Sequence, residues 1–484
     1  MNPQIRRLTV VIALMFLALM VSATTVQFAQ AGDLNADGRN VRTFYREFGQ
    51  DRGPIVVEGT PIVTSEPVDD AYNYLRRYQQ GPAYAHLTGY FSVVHSSMTG
   101  LERSGNEVLN GNDPGLLVAR LQALITGNQP RGGALDLTID PAVQAAAIEG
   151  LGDQRGAVVA IDPRTGAILA MYSSPSFDPN PLASHVREEA TSAYDELSND
   201  PDRPLLNRAI GGDQYAPGST FKLVTAAAMV ENGLTADSVV EAPTEYQLPQ
   251  TQTFMHNPGE RACGDGSGSA TLRQALIESC NTPFAIGAVD LGTDEINEQA
   301  EEFGFGRALE VPLPVTPSRF PADATPPELA QSAIGQFSVR THPLQMAMVA
   351  SAIANDGVLM TPYLVERTLT ADLEEVGTHD PEVFSEPISS RTAEEMTSMM
   401  IDVVEQGYDT PGAIPGVSVA GKTGSAEIDA NTPPHAWYTG FAPADDPQVA
   451  VAVIVENGGN VGWGVGGAQL AAPIAASVME AALP

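Results

Sequence analysis

The pattern of apolar and polar positions first separates an uncharged apolar run near the N-terminus from the rest of the chain. The run extends from Leu8 to Val26 and is 19 residues long, close to the roughly 20 that a helix needs to cross a bilayer. Two arginines precede it and two aspartates follow it, which favours a cytoplasmic N-terminus and an exported remainder. We therefore expect a cytoplasmic tail at residues 1–7 and a transmembrane signal anchor at residues 8–30.

A cleaved signal peptide is the alternative interpretation of the same run. Ala29-Gln30-Ala31 offers a small-residue cleavage site, but the apolar core of a cleaved signal is usually shorter, about 7–15 residues. The uncleaved anchor is favoured, and both interpretations export the rest of the chain.

Residues 31–133 alternate short strand-like pieces with aromatic-rich stretches and contain no catalytic constellation. One such piece is Pro54–Gly59. A Gly- and Pro-rich segment at 127–133 indicates a linker, because these residues interrupt regular structure. We expect a smaller non-catalytic domain at 31–133 and a catalytic domain at 134–484.

The second domain opens and closes with sheet patterns. Leu135–Asp140 alternates like a strand, and Pro141–Leu151 has Pro at its start and apolar residues at helical spacing. A hairpin follows, with strands at Gly156–Ile161 and Ala167–Tyr172 around a turn containing Pro and Gly.

A second hairpin pairs Trp437–Pro443 with Val449–Val455, and a helix of small residues at Ala468–Leu483 closes the chain. Helical patterns between the two hairpins include Leu223–Glu231 and Pro343–Ala354. Sheet segments at both ends with helices between them predict one α+β domain with an antiparallel sheet flanked by helices.

Composition narrows the function classes. The 484 residues include 59 acidic and 25 basic side chains, giving a net charge of −34. This balance argues against nucleic-acid binding and against adhesion along an anionic lipid surface. None of the seven histidines has a metal-ligand spacing, so the sequence does not indicate a metal site.

Three short motifs carry the candidate chemistry. Each is weak alone, but their order and local settings match the triple of serine, serine–asparagine and lysine motifs that is typical of β-lactamases and penicillin-binding proteins. The motifs are Ser219-Thr220-Phe221-Lys222, Ser279-Cys280-Asn281 and Lys422-Thr423-Gly424.

Ser219 opens an apolar helical stretch, and Lys222 lies three residues later on the same helix face. The amide groups and dipole of a helix N-terminus favour developing negative charge. A lysine whose charge is disfavoured by burial can act as a base toward a neighbouring serine. The alternative is a serine that only caps the helix, followed by an exposed lysine. It is disfavoured because an exposed helix face would need more polar residues than this stretch contains.

The other two motifs fit a cleft less specifically. Ser279 and Asn281 follow a helical stretch at Leu272–Glu278, where an ordinary helix C-terminus is an equally good description. Gly424 lacks a side chain, so a substrate backbone could lie against a strand there. Lys422 and Thr423 could then hold a carboxylate, unless the strand is a solvated edge.

The only two cysteines are Cys263 and Cys280. Outside the membrane such a pair could oxidise to a disulfide, whereas the sequence leaves two free thiols equally open because it does not give their geometry.

The motifs together resemble the class B penicillin-binding proteins, the monofunctional transpeptidases, and among them the actinobacterial penicillin-binding protein A subgroup. The resemblance covers nearly the whole exported chain and implies the penicillin-binding transpeptidase fold. The stretches that carry it, besides the three motifs, include Gly156–Pro163, Ser173–Asn180, Leu206–Ala209, Tyr215–Gly218, Ile334–Gln336, Pro343–Ala347 and, before the linker, Tyr84–Ser92.

The resemblance also implies a role for each motif residue. Ser219 would be the acylated nucleophile and Lys222 its base. Ser279 would relay the proton toward the leaving amine, and Asn281 would bind the substrate amide. These roles describe a transpeptidase that cross-links peptidoglycan stem peptides, releases D-alanine and is acylated by β-lactams. The resemblance implies neither a metal nor an organic cofactor.

The third motif would bind the substrate's end. Lys422 and Thr423 would hold the terminal D-alanine carboxylate, and the backbone N–H groups of Ser219 and Ser425 would form the oxyanion hole. The family usually has Thr at position 425, and the serine here supplies the same N–H group. A disulfide between Cys263 and Cys280 would stiffen the edge of the cleft.

Other functions remain open at this point. A D,D-carboxypeptidase uses the same acyl-enzyme, since water and amine compete for it. A β-lactamase is disfavoured because no Glu-x-x-Leu-Asn run follows Asn281. A scaffold or receptor is the non-enzymatic alternative. The implied partners are stem peptides, β-lactams, the membrane and a glycan polymerase of the wall-synthesis complex.

Overall fold

The computed structural model describes residues 3–25, 48–127, 131–309, 311–407 and 410–484. It divides into two compact units, one formed by Met1–Asp51 with Glu66–Leu75 and the other by Arg52–Ser65 with Arg76–Pro484. The second unit contains every residue of the three motifs.

Helix α1 (Pro3–Thr24) accounts for most of the described part of the first unit. It has 22 residues with a mean hydropathy of 2.1, and none of its side chains is buried. A helix of this length and composition is long and apolar enough to cross a bilayer. It contains most of the predicted anchor at 8–30, whose last residues lie outside the described residues.

A five-stranded antiparallel sheet forms the centre of the second unit, as predicted. Its order is β17-β18-β19-β7-β8, which brings together the two hairpins expected at opposite ends of the domain. The strands are β7 (Gly156–Ile161), β8 (Ile168–Ser174), β17 (Ala420–Ala426), β18 (His435–Ala442) and β19 (Val449–Val455).

Helices cover both faces of this sheet. On one face α6 (Pro141–Leu151) and α16 (Gly467–Ala481) pack against valines of β7 and β19. On the other face α14 (Pro343–Ala354) lies against β19 and β7, and eleven of its twelve residues are buried. The strands buried on both faces explain why β19 is a continuous apolar run and not an alternating one.

A mixed six-stranded sheet contains strands from both sides of the predicted domain boundary at residue 133. Its order is β15-β14-β6-β1-β2-β3, with β1 parallel to β6 and β14 antiparallel to β6. The boundary itself stays a prediction. The strands are β1 (Ile55–Val57), β2 (Thr60–Pro67), β3 (Tyr74–Tyr78), β6 (Ala134–Leu137), β14 (Val365–Leu369) and β15 (Glu375–Thr378).

Strand β6 is shorter than the predicted strand at Leu135–Asp140. Asp140 instead caps α6, where its Oδ1 atom accepts hydrogen bonds from the N–H groups of Ala142 and Val143. An aspartate at a helix N-cap satisfies amide donors that have no partner inside the helix, which ends the strand pattern early.

The remaining helices and short strands complete the second unit. The helices are α2 (Gly81–Thr88), α3 (Gly100–Ser104), α4 (Asn106–Leu109), α5 (Leu117–Thr126), α7 (Asn180–Ala183), α8 (Arg187–Asn199), α9 (Lys222–Glu231), α10 (Leu272–Ile277), α11 (Thr282–Leu291), α12 (Thr293–Glu302), α13 (Pro326–Ser332) and α15 (Ser390–Gln406). The strands are β4 (Phe91–Ser92), β5 (Ser97–Met98), β9 (Val239–Glu241), β10 (Glu245–Gln247), β11 (Phe254–His256), β12 (Ser269–Thr271), β13 (Leu359–Met360) and β16 (Val383–Ser385).

A buried ion triad lies beside the six-stranded sheet. The two carboxylate oxygens of Glu102 accept hydrogen bonds at 2.6 Å from Nε of Arg52 and Nε of Arg76, and the Tyr78 hydroxyl is 3.3 Å from the same carboxylate. All four side chains are nearly or fully buried. Burial raises the pKa of Glu102, but the two guanidinium groups together lower it by more. The pKa of Glu102 therefore lies below the ordinary glutamate value.

Candidate active site

The three motifs converge on one cleft of about 1070 Å³ in the second unit. The turn that leads into α9, the α10–α11 connection and edge strand β17 each contribute one motif to it. The motif residues that line the cleft are Ser219, Ser279, Asn281, Thr423, Gly424 and Ser425.

Ser219 lies in a 3₁₀ turn, Gly218–Phe221, that runs directly into α9. The sequence predicted an α-helix beginning at this serine, and the tighter turn is a common way to start one. The Thr220 hydroxyl donates 2.8 Å to the Pro217 carbonyl and ties the turn to the preceding chain. Lys222 follows as the first residue of α9.

Lys222 is fully buried, as the apolar flanks of its helix predicted. Its Nζ atom donates to the Ser279 carbonyl at 2.7 Å and to Asn281 Oδ1 at 2.8 Å, and lies 3.4 Å from Ser279 Oγ. The Nζ atom of Lys222 therefore connects the first motif to the second.

Burial lowers the pKa of Lys222 well below the ordinary lysine value, and the positive charge of Lys422 lowers it further. A neutral lysine amine keeps two N–H groups and one lone pair. In that form the contacts to the Ser279 carbonyl and Asn281 Oδ1 use both N–H groups, and the lone pair is the group that would accept a proton. The site thus favours the form of lysine that acts as a base.

The second motif occupies a strained connection between α10 and α11. Ser279 has a φ of 54°, in the left-handed region that non-glycine residues seldom adopt. The conformation ends α10 as helices commonly end: the N–H groups of Ser279 and Cys280 bond back to the Leu276 and Ala275 carbonyls at 3.1 and 2.9 Å, although glycine is more usual at this position. Here it directs both the carbonyl and the hydroxyl of Ser279 toward Lys222.

Asn257, which the sequence analysis did not single out, holds this connection in place. Its Oδ1 atom accepts hydrogen bonds from the N–H groups of Asn281 and Thr282, while its Nδ2 atom donates to Pro243 and Arg261 carbonyls. The side chain is buried. The only sequence signal was a turn-forming Asn-Pro-Gly, which does not distinguish this role from an exposed turn.

Cys263 and Cys280 are joined by a disulfide in the structure, with Cα atoms 6.0 Å apart. The bond connects the middle residue of the second motif to the loop before β12. The sulfur atoms also lie close to the Glu278 carboxylate, in a group whose ligand atoms are within 4.8 Å of one another. Because both sulfurs are bonded to each other, these three side chains do not offer a metal the two thiolates that it would need.

The third motif lies on β17, the edge strand of the central sheet, and its lysine is not solvated. Lys422 is 1% exposed and its Nζ atom donates to the Thr423 carbonyl at 3.0 Å. Thr423 and Ser425 are more exposed and face the cleft. A buried cation next to an open hydroxyl is suited to binding an anionic group that enters the cleft.

The structure gives a further reason for glycine at position 424, namely close packing against the Ser219 turn. A Cβ atom at this position would lie 2.8 Å from the Pro217 carbonyl oxygen and 3.2 Å from the Thr220 nitrogen. The missing side chain therefore lets β17 approach the turn that carries Ser219. Contact of a substrate backbone with the strand at Gly424 stays a prediction. Gly218, on the turn, makes the matching close approach to β17, because a Cβ at Gly218 would lie 2.7 Å from the Ser425 carbonyl oxygen.

Apolar side chains form the outer rim of the cleft. Sequence patterns do not reveal these rim residues, because each lies in a loop or a short strand. Their exposed fractions range from 41% to 59%, and they are Phe254, Phe337, Ile428 and Trp463.

Two family models match the chain. Residues 156–480 match the penicillin binding protein transpeptidase domain, and residues 52–135 match the penicillin binding protein A dimerisation domain. Similar proteins include the peptidoglycan D,D-transpeptidase PbpA of Mycolicibacterium smegmatis, which is 43% identical over 100% of this chain and 99% of its own length. The protein of the same name from Mycobacterium tuberculosis is 40% identical, with the same coverage.

Solved structures give the same result. The ceftriaxone acyl-enzyme complex of penicillin-binding protein A from M. tuberculosis has a TM-score of 0.87 and 40% identity, and covers 91% of this chain and 100% of its own. The imipenem acyl-enzyme complex of that protein has a TM-score of 0.85.

Proposed function

The chain belongs to the penicillin-binding protein transpeptidases, and from this membership we propose that it is a peptidoglycan D,D-transpeptidase that works through an acyl-enzyme on Ser219. The observation that carries the proposal is the position of Lys222. Its buried amine is bonded to Ser279 and Asn281 and lies one helical turn from Ser219.

In the first half-reaction Ser219 Oγ attacks the carbonyl carbon of the D-Ala-D-Ala bond while Lys222 accepts the hydroxyl proton. The resulting oxyanion is stabilised by the backbone N–H groups of Ser219 and Ser425. The C–N bond then breaks, and a proton that passes through Ser279 reaches the departing amine. Free D-alanine leaves, and the rest of the stem peptide remains as an ester of Ser219.

In the second half-reaction the amine of a neighbouring stem peptide attacks the ester. Lys222 takes a proton from that amine and returns one to Ser219 Oγ, which restores the enzyme and forms the cross-link. A β-lactam would follow the first half-reaction only, because opening its ring leaves the departing amine attached to the acyl group.

The substrate contacts follow from the same geometry. Lys422 and Thr423 would bind the terminal carboxylate. This role is supported by Thr423 and Ser425, which both line the cleft, and by the buried Lys422 that precedes them on β17. Asn281 would bind the substrate amide. The cleft edge near Asn281 is fastened by the disulfide and by Asn257.

We assign residues 31–133 to a non-catalytic domain and residues 134–484 to the transpeptidase domain. Helix α1 supports a single-pass anchor in the cell membrane, with residues 1–7 in the cytoplasm and the second unit outside. A glycan polymerase of the wall-synthesis complex is the protein partner that this arrangement suggests.

Turnover of a synthetic stem peptide tests the proposed reaction. The full chain in detergent is incubated with a pentapeptide ending in D-Ala-D-Ala, with and without an acceptor amine, and D-alanine and peptide products are measured. We expect D-alanine release together with a cross-linked product, and neither with Ser219→Ala. Release without any cross-link at saturating acceptor would identify a carboxypeptidase, and no release from a folded parent would support the scaffold alternative.

A further inference from the structure

A cluster of buried charged and aromatic side chains lies behind the cleft, at the end of β19. Its centre is Glu456, which is 9% exposed. One carboxylate oxygen accepts hydrogen bonds from Arg208 Nε at 2.8 Å and from the Tyr215 hydroxyl at 2.6 Å, and the other lies 3.4 Å from Arg155 Nε. His435 completes this Glu456 cluster by packing its ring against Tyr215.

Arg208 fixes one side of the cluster to the central sheet. Its guanidinium also donates to the Asp202 carbonyl at 2.6 Å and to the Arg203 carbonyl at 3.3 Å. The backbone N–H group of Arg208 donates to Ser173 Oγ on β8. Since Arg208 is 1% exposed, it is a fixed buried cation, and Glu456 is its counter-ion.

Tyr215 extends the cluster toward the nucleophile, four residues before Ser219. Its ring lies edge-on to His435 and Trp437, at centroid distances of 5.1 and 6.1 Å. The next residue is held too, because Trp437 Nε1 donates to the Ala216 carbonyl at 3.0 Å. The segment that leads into the Ser219 turn is therefore fastened to β18 and, through one hydroxyl, to Glu456.

Glu456 also begins the glycine-rich segment 456–467, whose last five residues, 463–467, line the cleft. The N–H group of Asn457 donates to His435 Nδ1 at 3.2 Å. At the far end of the segment a Cβ on Gly466 would lie 2.6 Å from Ser425 Oγ. The segment thus starts at the Glu456 cluster and ends against the residue that is proposed to complete the oxyanion hole.

We propose that Glu456 is a positioning residue for the acylation step, holding the Ser219 turn and the glycine-rich segment in their reactive arrangement through Tyr215 and Arg208. The inference rests on the proposed acyl-enzyme function and adds residues that none of the three motifs contains. A buried ion pair by itself adds little to stability, because desolvation offsets its Coulomb energy. The function of this pair comes from what Glu456 connects: its bond to Tyr215 holds the segment before Ser219, and its chain continues into the segment that lines the cleft at 463–467.

The Tyr215→Phe variant tests the inference, with Tyr78→Phe as its matched control. Each variant removes one hydroxyl that contacts a buried, arginine-paired glutamate, but Tyr78 belongs to the Arg52–Glu102–Arg76 triad, whereas Tyr215 lies four residues before Ser219. The full chain in detergent is mixed with a fluorescent penicillin, and the acylation rate constant at saturation is separated from the binding constant. Thermal unfolding of each variant is followed in parallel.

We expect Tyr215→Phe to lower the saturating acylation rate about tenfold with little change in binding, since small misplacement of reacting groups has effects of this size. Glu456→Gln should act in the same direction, and if it does not fold Tyr215→Phe decides alone. Tyr78→Phe should lower thermal stability and leave acylation unchanged. Equal acylation by Tyr215→Phe and parent, or an equal loss in both tyrosine variants, would overturn the inference. A parent that forms no adduct would overturn the proposed function as well.

Discussion

At the scale of single residues, Lys222 determines whether the site can work. The chain contains only two lysines, Lys222 and Lys422, and both belong to the motifs of the cleft. Their contrasting positions, one bonded to the second motif and one on the edge strand, allow each to be followed without interference from any other lysine.

Lysine-selective ¹³Cε labelling should therefore measure the state of Lys222 directly. We expect two lysine signals, one of which titrates well below the ordinary lysine value, because burial and the neighbouring cation disfavour its charged form. The signal is assigned by its disappearance in Lys222→Arg and its survival in Lys422→Arg. The saturating acylation rate should fall as pH decreases through the same titration, because a protonated lysine is not a base. Two lysines that both titrate at the ordinary value would contradict the assignment of Lys222 as base.

Motif residues that converge at the cleft were easier to predict from the sequence than the residues that hold them in place. Ser219, Lys222, Ser279 and Asn281 were identified by motif order and by an apolar helix around Lys222. Asn257 and Glu456 were missed, because their partners lie 24 and 248 residues away along the chain. Local patterns carry no information about such contacts.

At the scale of elements, the packing of β17 on the Ser219 turn is the most exacting contact. Gly424→Ala should push the strand away from Pro217 and Thr220, and we expect acylation to fall at least about tenfold as the reacting groups separate. Gly377→Ala is the control, since Gly377 also lies in a strand and its added Cβ would meet nothing within 4 Å. Stopped-flow labelling with a fluorescent penicillin measures both, and an unchanged rate in Gly424→Ala would contradict the account of this contact.

The ion triad gives a second prediction at this scale. Glu102→Gln leaves Arg52 and Arg76 buried without a counter-ion, and we expect the free energy of unfolding to fall by about 3–5 kcal/mol. Because the folded pKa of Glu102 is lowered, its stabilisation is present above the unfolded pKa and is lost as pH falls through the folded pKa. Denaturant titration of parent and variant across this acid range measures both effects. A variant as stable as the parent would show that the triad does not stabilise the sheet.

Element boundaries were predicted well where a cap or a turn marked them and less well elsewhere. Pro141–Leu151, Pro343–Ala354 and Val449–Val455 agree residue for residue. The mixed six-stranded sheet could not be predicted, because β14 joins it from more than 220 residues beyond β6. Sequence periodicity shows that a strand exists and does not show its neighbour.

At the scale of the whole molecule, α1 and the acidic remainder have opposite preferences for membrane and water. We expect the full chain to sediment with membranes and to resist extraction at high salt, because α1 is held by apolar surface and not by charge. A chain beginning at Gly32 should be soluble and retain acylation. Sedimentation of the shortened chain with membranes would show that a second surface binds lipid.

If Ser219 becomes an ester during the reaction, intact-protein mass spectrometry with penicillin should detect the acyl-enzyme itself. We expect the folded full chain to gain the mass of one penicillin, peptide mapping to place the adduct on Ser219, and Ser219→Ala to gain nothing. An adduct on another residue, or a folded parent whose mass does not change, would contradict the formation of this ester.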